Sequence, residues 1–283
     1  NPGAKAGQAE SMIHRRSRHQ RFKGLSINRM IPNMLTLFAL CAGMTSIRFA
    51  IQERWEPAVT ALCIAAILDG LDGRIARLLK GSSRFGAELD SLSDFLCFGA
   101  APAIIVYLWS LQAIGTLGWI PCLLYAICAA LRLARFNVAL DEPVLPPWAF
   151  NFFSGVPSPA GAGLAVLPMM FAFWSDEVGA VARAPLTTAV VLLVVAGLMV
   201  SRLPTFSLKK FKVPNVWVLP MMLLLGLLAA GIIVEPWKTL SLLGAIYIAM
   251  LPFGLLSYRR LERMATALQG AGKDPPAAES GAP

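Results

Sequence analysis

The chain has 283 residues, of which 57% are hydrophobic and only 14% charged, and its mean hydropathy is +0.63. A soluble domain usually carries about 25% charged residues, so the composition excludes an ordinary soluble protein. A net charge of +9 could indicate nucleic-acid binding. The distribution of the basic residues along the chain argues against that class, and we predict no nucleic-acid partner.

In chain order, a basic arm (residues 1–30) precedes eight apolar segments, each near the roughly 20 residues that a helix needs to cross a bilayer. The segments cover residues 31–52, 56–79, 89–112, 114–137, 155–175, 184–203, 215–234 and 237–258. Residues 138–154 are too rich in proline to span and are predicted to form a loop or a re-entrant segment. The sequence therefore predicts an all-α, polytopic transmembrane bundle of about eight spans over residues 31–260, with a disordered tail at 261–283.

Basic residues are unevenly divided between the two sides of this predicted bundle. The odd-numbered connections carry only Arg54, Arg183 and Lys238, whereas the arm and the even-numbered connections hold most of the others. This asymmetry is the positive-inside pattern and predicts that both termini are cytoplasmic. Basic side chains beside anionic headgroups, each contributing about 1 kcal/mol, then account for the net charge.

Four aspartates lie at the cytoplasmic ends of the second and third segments, although an ionisable residue in a span is costly and by default marks a functional site. Asp69 and Asp72 are three residues apart, and Asp90 and Asp94 are four apart. Each pair therefore lies on one face of its own helix. The short connection between the segments makes them antiparallel neighbours, so that the two pairs can face each other.

Converging carboxylates repel one another unless some are protonated or a cation binds between them. Oxygen ligands without histidine or thiolate suit hard divalent ions. We therefore predict Mg²⁺ or Mn²⁺, as two ions, and a substrate that carries phosphate.

Other interpretations of the aspartates stay open from the residues alone. One pair could snorkel or cap a helix, and a cation transporter also needs buried carboxylates. A transporter would place them near the bilayer midplane, between repeat halves, whereas here they cluster at one face. A structural scaffold would give no reason for four aspartates.

Residues 69–94, DGLDGRIARLLKGSSRFGAELDSLSD, resemble the signature of the CDP-alcohol phosphotransferase family, DxxDGxxAR followed after eight residues by GxxxDxxxD. The resemblance implies that Asp69, Asp72 and Asp90 bind the metals, and that Asp94 joins the second metal and acts as catalytic base. It also implies a set of positions that contact the CDP moiety. These are Asn33, Thr36, Asp69, Gly73, Ala76, Arg77 and Gly86.

Further stretches are similar to one branch of that family, the bacterial membrane-embedded phosphatidylserine synthases. They are LDSLSDFLCFGAAPA, ALRLARFNV, FSGVPSPAGAG and LMVSRLPTFSLKKFK. This likeness implies CDP-diacylglycerol and L-serine as substrates, phosphatidylserine and CMP as products, a homodimer, and a location in the bacterial inner membrane with a cytoplasmic active site. Glycerol phosphate, inositol phosphate and choline remain alternative acceptors.

An amino-acid acceptor brings a carboxylate and an ammonium group, so its site needs a cation and polar partners. The candidates at the cytoplasmic ends of spans four and five are Arg132, Arg135, Asn137 and Ser158. Ordinary anchoring at the headgroups is the alternative role for the two arginines. Because His14 and His19 both lie in the basic arm and no Cys or Ser is placed as a nucleophile, we expect direct displacement without a covalent intermediate.

Overall fold

The structure is a computed structural model that describes residues 27–79, 83–141, 152–201, 204–206 and 217–251. The predictions for most of the basic arm, for most of the proline-rich loop, for the end of the eighth segment and for the tail lie outside these residues.

Helices make up almost all of the described chain. They are α1 (Ile27–Ile51), α2 (Trp55–Leu78), α3 (Arg84–Asp94), α4 (Ala101–Trp109), α5 (Thr116–Asp141), α6 (Ser158–Ala165), α7 (Leu167–Trp174), α8 (Asp176–Ala182), α9 (Pro185–Val200), α10 (Val218–Val234) and α11 (Pro236–Leu251). A π-helical turn, Phe95–Ala100, joins α3 to α4, and a 3₁₀ turn, Leu111–Ile114, follows α4. Two short strands that were not predicted, β1 (Phe152–Ser154) and β2 (Pro204–Phe206), pair antiparallel.

By length and composition, three helices of the described chain could cross a membrane: Met30–Ile51, Arg84–Trp109 and Thr116–Val138. If α8 and α9, whose axes meet at 69°, together form one broken span, the number of candidate spans rises to four. The protein is thus a helical membrane protein. Helix α2 has 24 residues, but the aspartates and arginines of its second half make it more polar than the others.

The fifth predicted segment is not one helix but the pair α6 and α7, which meet at Val166. Its prolines explain the break, because proline lacks an N–H and fits only the first turn of a helix. Pro159 and Pro168 each lie in the first turn of one of the two short helices.

Packing brings α1 along α2 and against α3, the π turn and α4, while α5 packs on α9. The main apolar core surrounds Val106, Tyr125, Met169 and Leu192. A smaller cluster of Ala65, Cys97, Phe98 and Ala162 lies one helical turn from the aspartates of α2 and α3. The fold therefore places the group of aspartates next to a small apolar cluster of buried side chains.

Candidate active site

The first feature of the site is a carboxylate cluster between α2 and α3. Asp69, Asp72 and Asp90 each offer an oxygen, and these oxygens all lie within 4.8 Å of one another. Helix α3 begins where it does because Ser83 caps it, accepting a hydrogen bond from Gly86 N at 3.0 Å. The cap sets the register of α3 and so turns Asp90 toward the two aspartates of α2.

Asp72 is fixed by a neighbour on α1. Its side chain is only 4% exposed, and Thr36 Oγ1 donates to Asp72 Oδ2 at 2.6 Å. Ser93 of α3 donates in turn to the Thr36 carbonyl at 3.4 Å. Through these bonds α1 connects the two helices that carry the carboxylates.

A cavity of about 180 Å³ opens beside this cluster. It is lined by Pro32, Asn33, Thr36, Asp72, Gly73, Ala76, Ser83, Gly86, Ala87 and Asp90. A Cβ added at Gly86 would lie 2.6 Å from Asn33 Oδ1, whereas one added at Gly73 would meet no atom within 4 Å. Glycine at 86 thus permits close packing of α1 on α3, and glycine at 73 leaves room in the cavity.

Asp94 lies on the other side of the cluster. Its carboxyl group hydrogen bonds with that of Asp69, yet its Oδ1 is buried without a partner. Arg132 of α5 attracts it electrostatically and donates through Nη1 to Ser158 Oγ at the start of α6. The structure therefore brings together three residues from separate predicted segments.

Three other predicted residues make contacts elsewhere. Arg77 donates through Nε to the carbonyl of Gly73 on its own helix, at 3.0 Å. Arg135 donates through Nη1 to the carbonyl of Val200 at the end of α9, at 2.9 Å, and Asn137 donates through Nδ2 to Ser91 Oγ on α3, also at 2.9 Å.

The chemistry of the donor set fits a divalent metal. Asp69, Asp72 and Asp90 supply only oxygens, which hard cations prefer, and they lie close enough for one ion to contact all three. The orphaned Asp94 Oδ1 is a further oxygen beside them. Concentrated acidic charge of this kind is stable when a cation neutralises it.

Some residues of the site were not predicted. Ser83 could have been found, because serine is among the residues preferred at a helix N-cap. Ser91 and Ser93 could not, since their partners come from α5 and α1 and are set by tertiary packing.

Similarity to known proteins points to one family. The sequence model of the CDP-alcohol phosphatidyltransferase family matches residues 29–228, and a second one, CDP-alcohol phosphatidyltransferase 2, matches residues 216–252. A Mycobacterium leprae (strain TN) protein named CDP-diacylglycerol–serine O-phosphatidyltransferase is 36% identical over 242 residues, which cover 82% of this chain and 77% of the relative.

A Helicobacter pylori (strain ATCC 700392 / 26695) protein of the same name is 34% identical over 219 residues, covering 77% of this chain and 88% of the relative. The family predicted from the motif is confirmed by both kinds of match. The chain belongs to the CDP-alcohol phosphatidyltransferase family and is an enzyme of that type.

Proposed function

We propose that the enzyme transfers the phosphatidyl group of CDP-diacylglycerol to L-serine, giving phosphatidylserine and CMP. The observation that carries this proposal is the meeting of Asp94 with Arg132 and Ser158 beside the carboxylate cluster. A base with a free oxygen next to a half-buried cation suits a small acceptor that has both a hydroxyl group and a carboxylate. The names of the relatives support serine as that acceptor.

On the donor side, the cavity would hold the cytidine diphosphate portion of the lipid. Asn33 and Gly86 line it, and Gly73 leaves it open. Asp69, Asp72 and Asp90, with Asp94 at the second position, would hold two divalent ions, Mg²⁺ or Mn²⁺. When bound, such ions neutralise the negative charge of a diphosphate and of its leaving group. Arg77, one turn from Gly73, would reach a phosphate by releasing its bond to the helix backbone.

The reaction needs one proton transfer and one displacement. Asp94 takes the proton from the serine hydroxyl, and the serine oxygen forms a bond to the phosphorus that carries the lipid. The bond from this phosphorus to the oxygen of CMP breaks, and CMP leaves with the electron pair. General-base help of this kind contributes about 10²–10⁴-fold.

On the acceptor side, Arg132 and Ser158 would contact serine directly. Arg135 and Asn137 would support the same site from a distance, since their bonds fasten the end of α5 to α9 and to α3. This division refines the four acceptor positions expected from the sequence.

The wider setting belongs to the same proposal. It comprises eight spans in a transmembrane domain of residues 31–260, cytoplasmic termini, an active site at the cytoplasmic face of the bacterial inner membrane, and a homodimer. The predicted odd-numbered connections, which carry few basic residues, lie at the end of the bundle opposite the aspartates. Their position supports the placement of the active site at the cytoplasmic face.

The test uses purified protein in detergent with CDP-diacylglycerol, Mg²⁺ or Mn²⁺, and labelled serine, following labelled lipid and CMP together. We expect metal-dependent formation of both products and a fall of at least 10²-fold for Asp94→Asn. Glu88→Gln is the matched control, because Glu88 is an exposed acid on the same helix and should leave the rate unchanged.

Glycerol phosphate, inositol phosphate and choline are run in parallel. CMP release with one of these and none with serine would contradict the serine assignment but keep the reaction class. Absence of CMP release with every acceptor, from protein that still unfolds cooperatively, would contradict the whole proposal.

A further inference from the structure

One face of α11 packs into the bundle. Trp237, Ser241, Gly244, Tyr247 and Leu251 recur every three or four residues and so share that face. Trp237 meets Phe173 with ring centroids 4.8 Å apart, and a Cβ at Gly244 would lie 2.6 Å from Leu167 Cδ1.

Ser241 is fully buried on the same face. From Trp237 to Tyr247 the helix advances about 15 Å. Helices α6 and α7 run from Ser158 to Trp174, and Trp237 lies at the Trp174 end of this pair, beside Phe173. The advance along α11 therefore places Tyr247 nearer to the other end of the bundle, which holds Ser158 and Arg132.

Tyr247 reaches the acceptor side of the active site there. Its hydroxyl is buried without a hydrogen-bond partner, and so is Nε of Arg132. The two groups interact electrostatically, and Arg132 in turn attracts Asp94. Tyr247, Arg132 and Asp94 therefore line one small region.

Unpaired buried polar atoms are rare in native proteins, where the large majority have a protein or water partner. Among the described residues four buried side-chain atoms lack one, and three of them are Asp94 Oδ1, Arg132 Nε and Tyr247 Oη. Their concentration at one place indicates a region that a polar ligand completes. Since Arg132 Nη1 is already bonded to Ser158, the Nε edge of its guanidinium group is the part left for the ligand.

Two of the three unpaired atoms belong to hydrogen-bond donors and the third is an acceptor. Nε–H and the tyrosine O–H are donors, which together suit an oxyanion, and a donor pair that includes a guanidinium group favours a carboxylate. The carboxylate oxygen of Asp94 is an acceptor, which suits a hydroxyl group.

We propose that Tyr247 binds the carboxylate of the amino-acid acceptor together with Arg132 and so directs the acceptor hydroxyl toward Asp94. This inference rests on the proposed function, since it assumes an acceptor with a carboxylate. It gives α11 a role in selecting the acceptor, which the sequence of its span did not indicate.

The test compares Tyr247→Phe with the wild-type enzyme by steady-state kinetics in detergent. Loss of one hydrogen bond to a charged group should raise KM for serine about ten- to hundredfold. KM for CDP-diacylglycerol should stay within about twofold, because the donor cavity lies on the other side of the carboxylate cluster; this value also reports that the variant is folded. Tyr107→Phe is the matched control, since Tyr107 packs edge-on against Trp119 at 4.9 Å, near the opposite end of α4.

A second measurement separates carboxylate binding from a structural role. L-serinamide has the hydroxyl and amine of serine but no carboxylate, and its inhibition constant is compared with KM for serine. In the wild type the inhibition constant of L-serinamide should be much higher than KM for serine. In Tyr247→Phe the ratio of these two constants should shrink about tenfold or more.

A KM for serine within twofold of wild type, or an equal rise in KM for both substrates, would overturn the proposal. A wild-type enzyme that uses a different acceptor and not serine would overturn the proposed function as well. The two failures are distinguishable, because the second appears in the wild-type measurement and the first only in the variant.

Discussion

Asp72 and Asp94 belong to the same motif, but the fold surrounds them differently. Asp72 is 4% exposed and receives a bond from Thr36 at 2.6 Å, which fixes its carboxylate in one orientation. Asp94 keeps a buried oxygen with no partner. A fixed carboxylate suits metal binding, while a carboxylate with a free oxygen can accept a proton. The proposed roles, metal binding for Asp72 and base catalysis for Asp94, therefore have a physical basis beyond the motif.

Gly70 and Gly73 allow a sharp test of the cavity. A Cβ at either position meets no atom within 4 Å, but only Gly73 lines the cavity. We expect Gly73→Ala to fold normally and to raise KM for CDP-diacylglycerol about tenfold, because the added methyl group occupies space that the nucleotide needs. Gly70→Ala should leave the kinetics unchanged and stabilise the helix slightly, since alanine favours a helix interior over glycine by about 1 kcal/mol.

Kinetics and thermal unfolding of the two variants check this prediction together. Equal kinetic effects at both positions would show that the change acts through the helix rather than through the cavity.

At the same scale, the limits of sequence-based prediction are clear from particular residues. The spacing of the four aspartates was sufficient to predict that they converge, because helical periodicity alone places each pair on one face. The partner of Arg135 was not predictable, since the Val200 carbonyl is 65 residues away and becomes available only where α9 ends. Tyr247 was missed for a similar reason: an isolated tyrosine in an apolar span carries no local signal of function.

Among the helical elements, the π turn after Asp94 is the most unusual. A π turn disturbs the regular hydrogen-bond pattern and is often found at functional sites. The fully buried Tyr125 of α5 donates to the carbonyl of Phe98 in this turn at 2.8 Å. A Cβ at Gly99 would lie 3.2 Å from Ala129 Cβ, so α5 packs closely there. Helix α5 thus supports the backbone that directly follows Asp94, the proposed base.

We expect Tyr125→Phe to lower the free energy of unfolding by about 1–3 kcal/mol, because it leaves the Phe98 carbonyl without its buried donor. Activity should fall as well, since the turn positions Asp94. Thermal unfolding in detergent and the rate of CMP release measure the two effects. Tyr107→Phe serves again as the control. An unchanged unfolding midpoint would mean that the carbonyl finds another partner, and that the tyrosine does not hold the turn.

The apolar segments of the sequence were enough to predict where helices occur, because the length of an apolar run is a strong signal. The π turn was not predictable, since its residues, FLCFGA, are as apolar as the helix that follows. The division of the fifth segment at Val166 depends on where each proline falls relative to a helix start. The pairing of β1 with β2 joins residues about 50 apart in the chain, and no local pattern indicates it.

On the scale of the whole molecule, several connections meet at the end opposite the aspartates. Ser110, after α4, donates to the Arg183 carbonyl at 2.7 Å, and Arg183 donates to the Trp109 carbonyl at 3.3 Å. Phe49, Glu56 and Trp237 line a common pocket. The two hydrogen bonds join the predicted third and fifth connections, and the pocket joins the predicted first and seventh. Both pairings are what the proposed eight spans would require.

The charges at that end agree with an outward orientation. Its basic residues are interspersed with acidic ones, namely Glu53, Glu56, Asp176, Glu177 and Glu235, and Lys238 pairs with Glu235 at 2.8 Å. Lys and Arg residues close to the spans, rather than net charge, retain a connection in the cytoplasm, and the connections at this end carry only Arg54, Arg183 and Lys238. The aspartate site at the other end would therefore face the cytoplasm, where CDP-activated lipids and free serine are available.

Cysteine labelling of intact cells tests this orientation. Gln52→Cys and Gln112→Cys each place a thiol at an exposed residue of the end opposite the aspartates. Arg84→Cys places one at an exposed residue near the active site. We expect a membrane-impermeant maleimide to label the first two in intact cells and the third only after permeabilisation. The wild-type chain, whose five cysteines all lie within helices, gives the background.

Labelling of Arg84→Cys in intact cells, with Gln52→Cys and Gln112→Cys protected, would reverse the orientation and place the carboxylates outside. Labelling of Gln52→Cys but not of Gln112→Cys would contradict the number of crossings instead, because the two positions would then lie on different sides of the membrane.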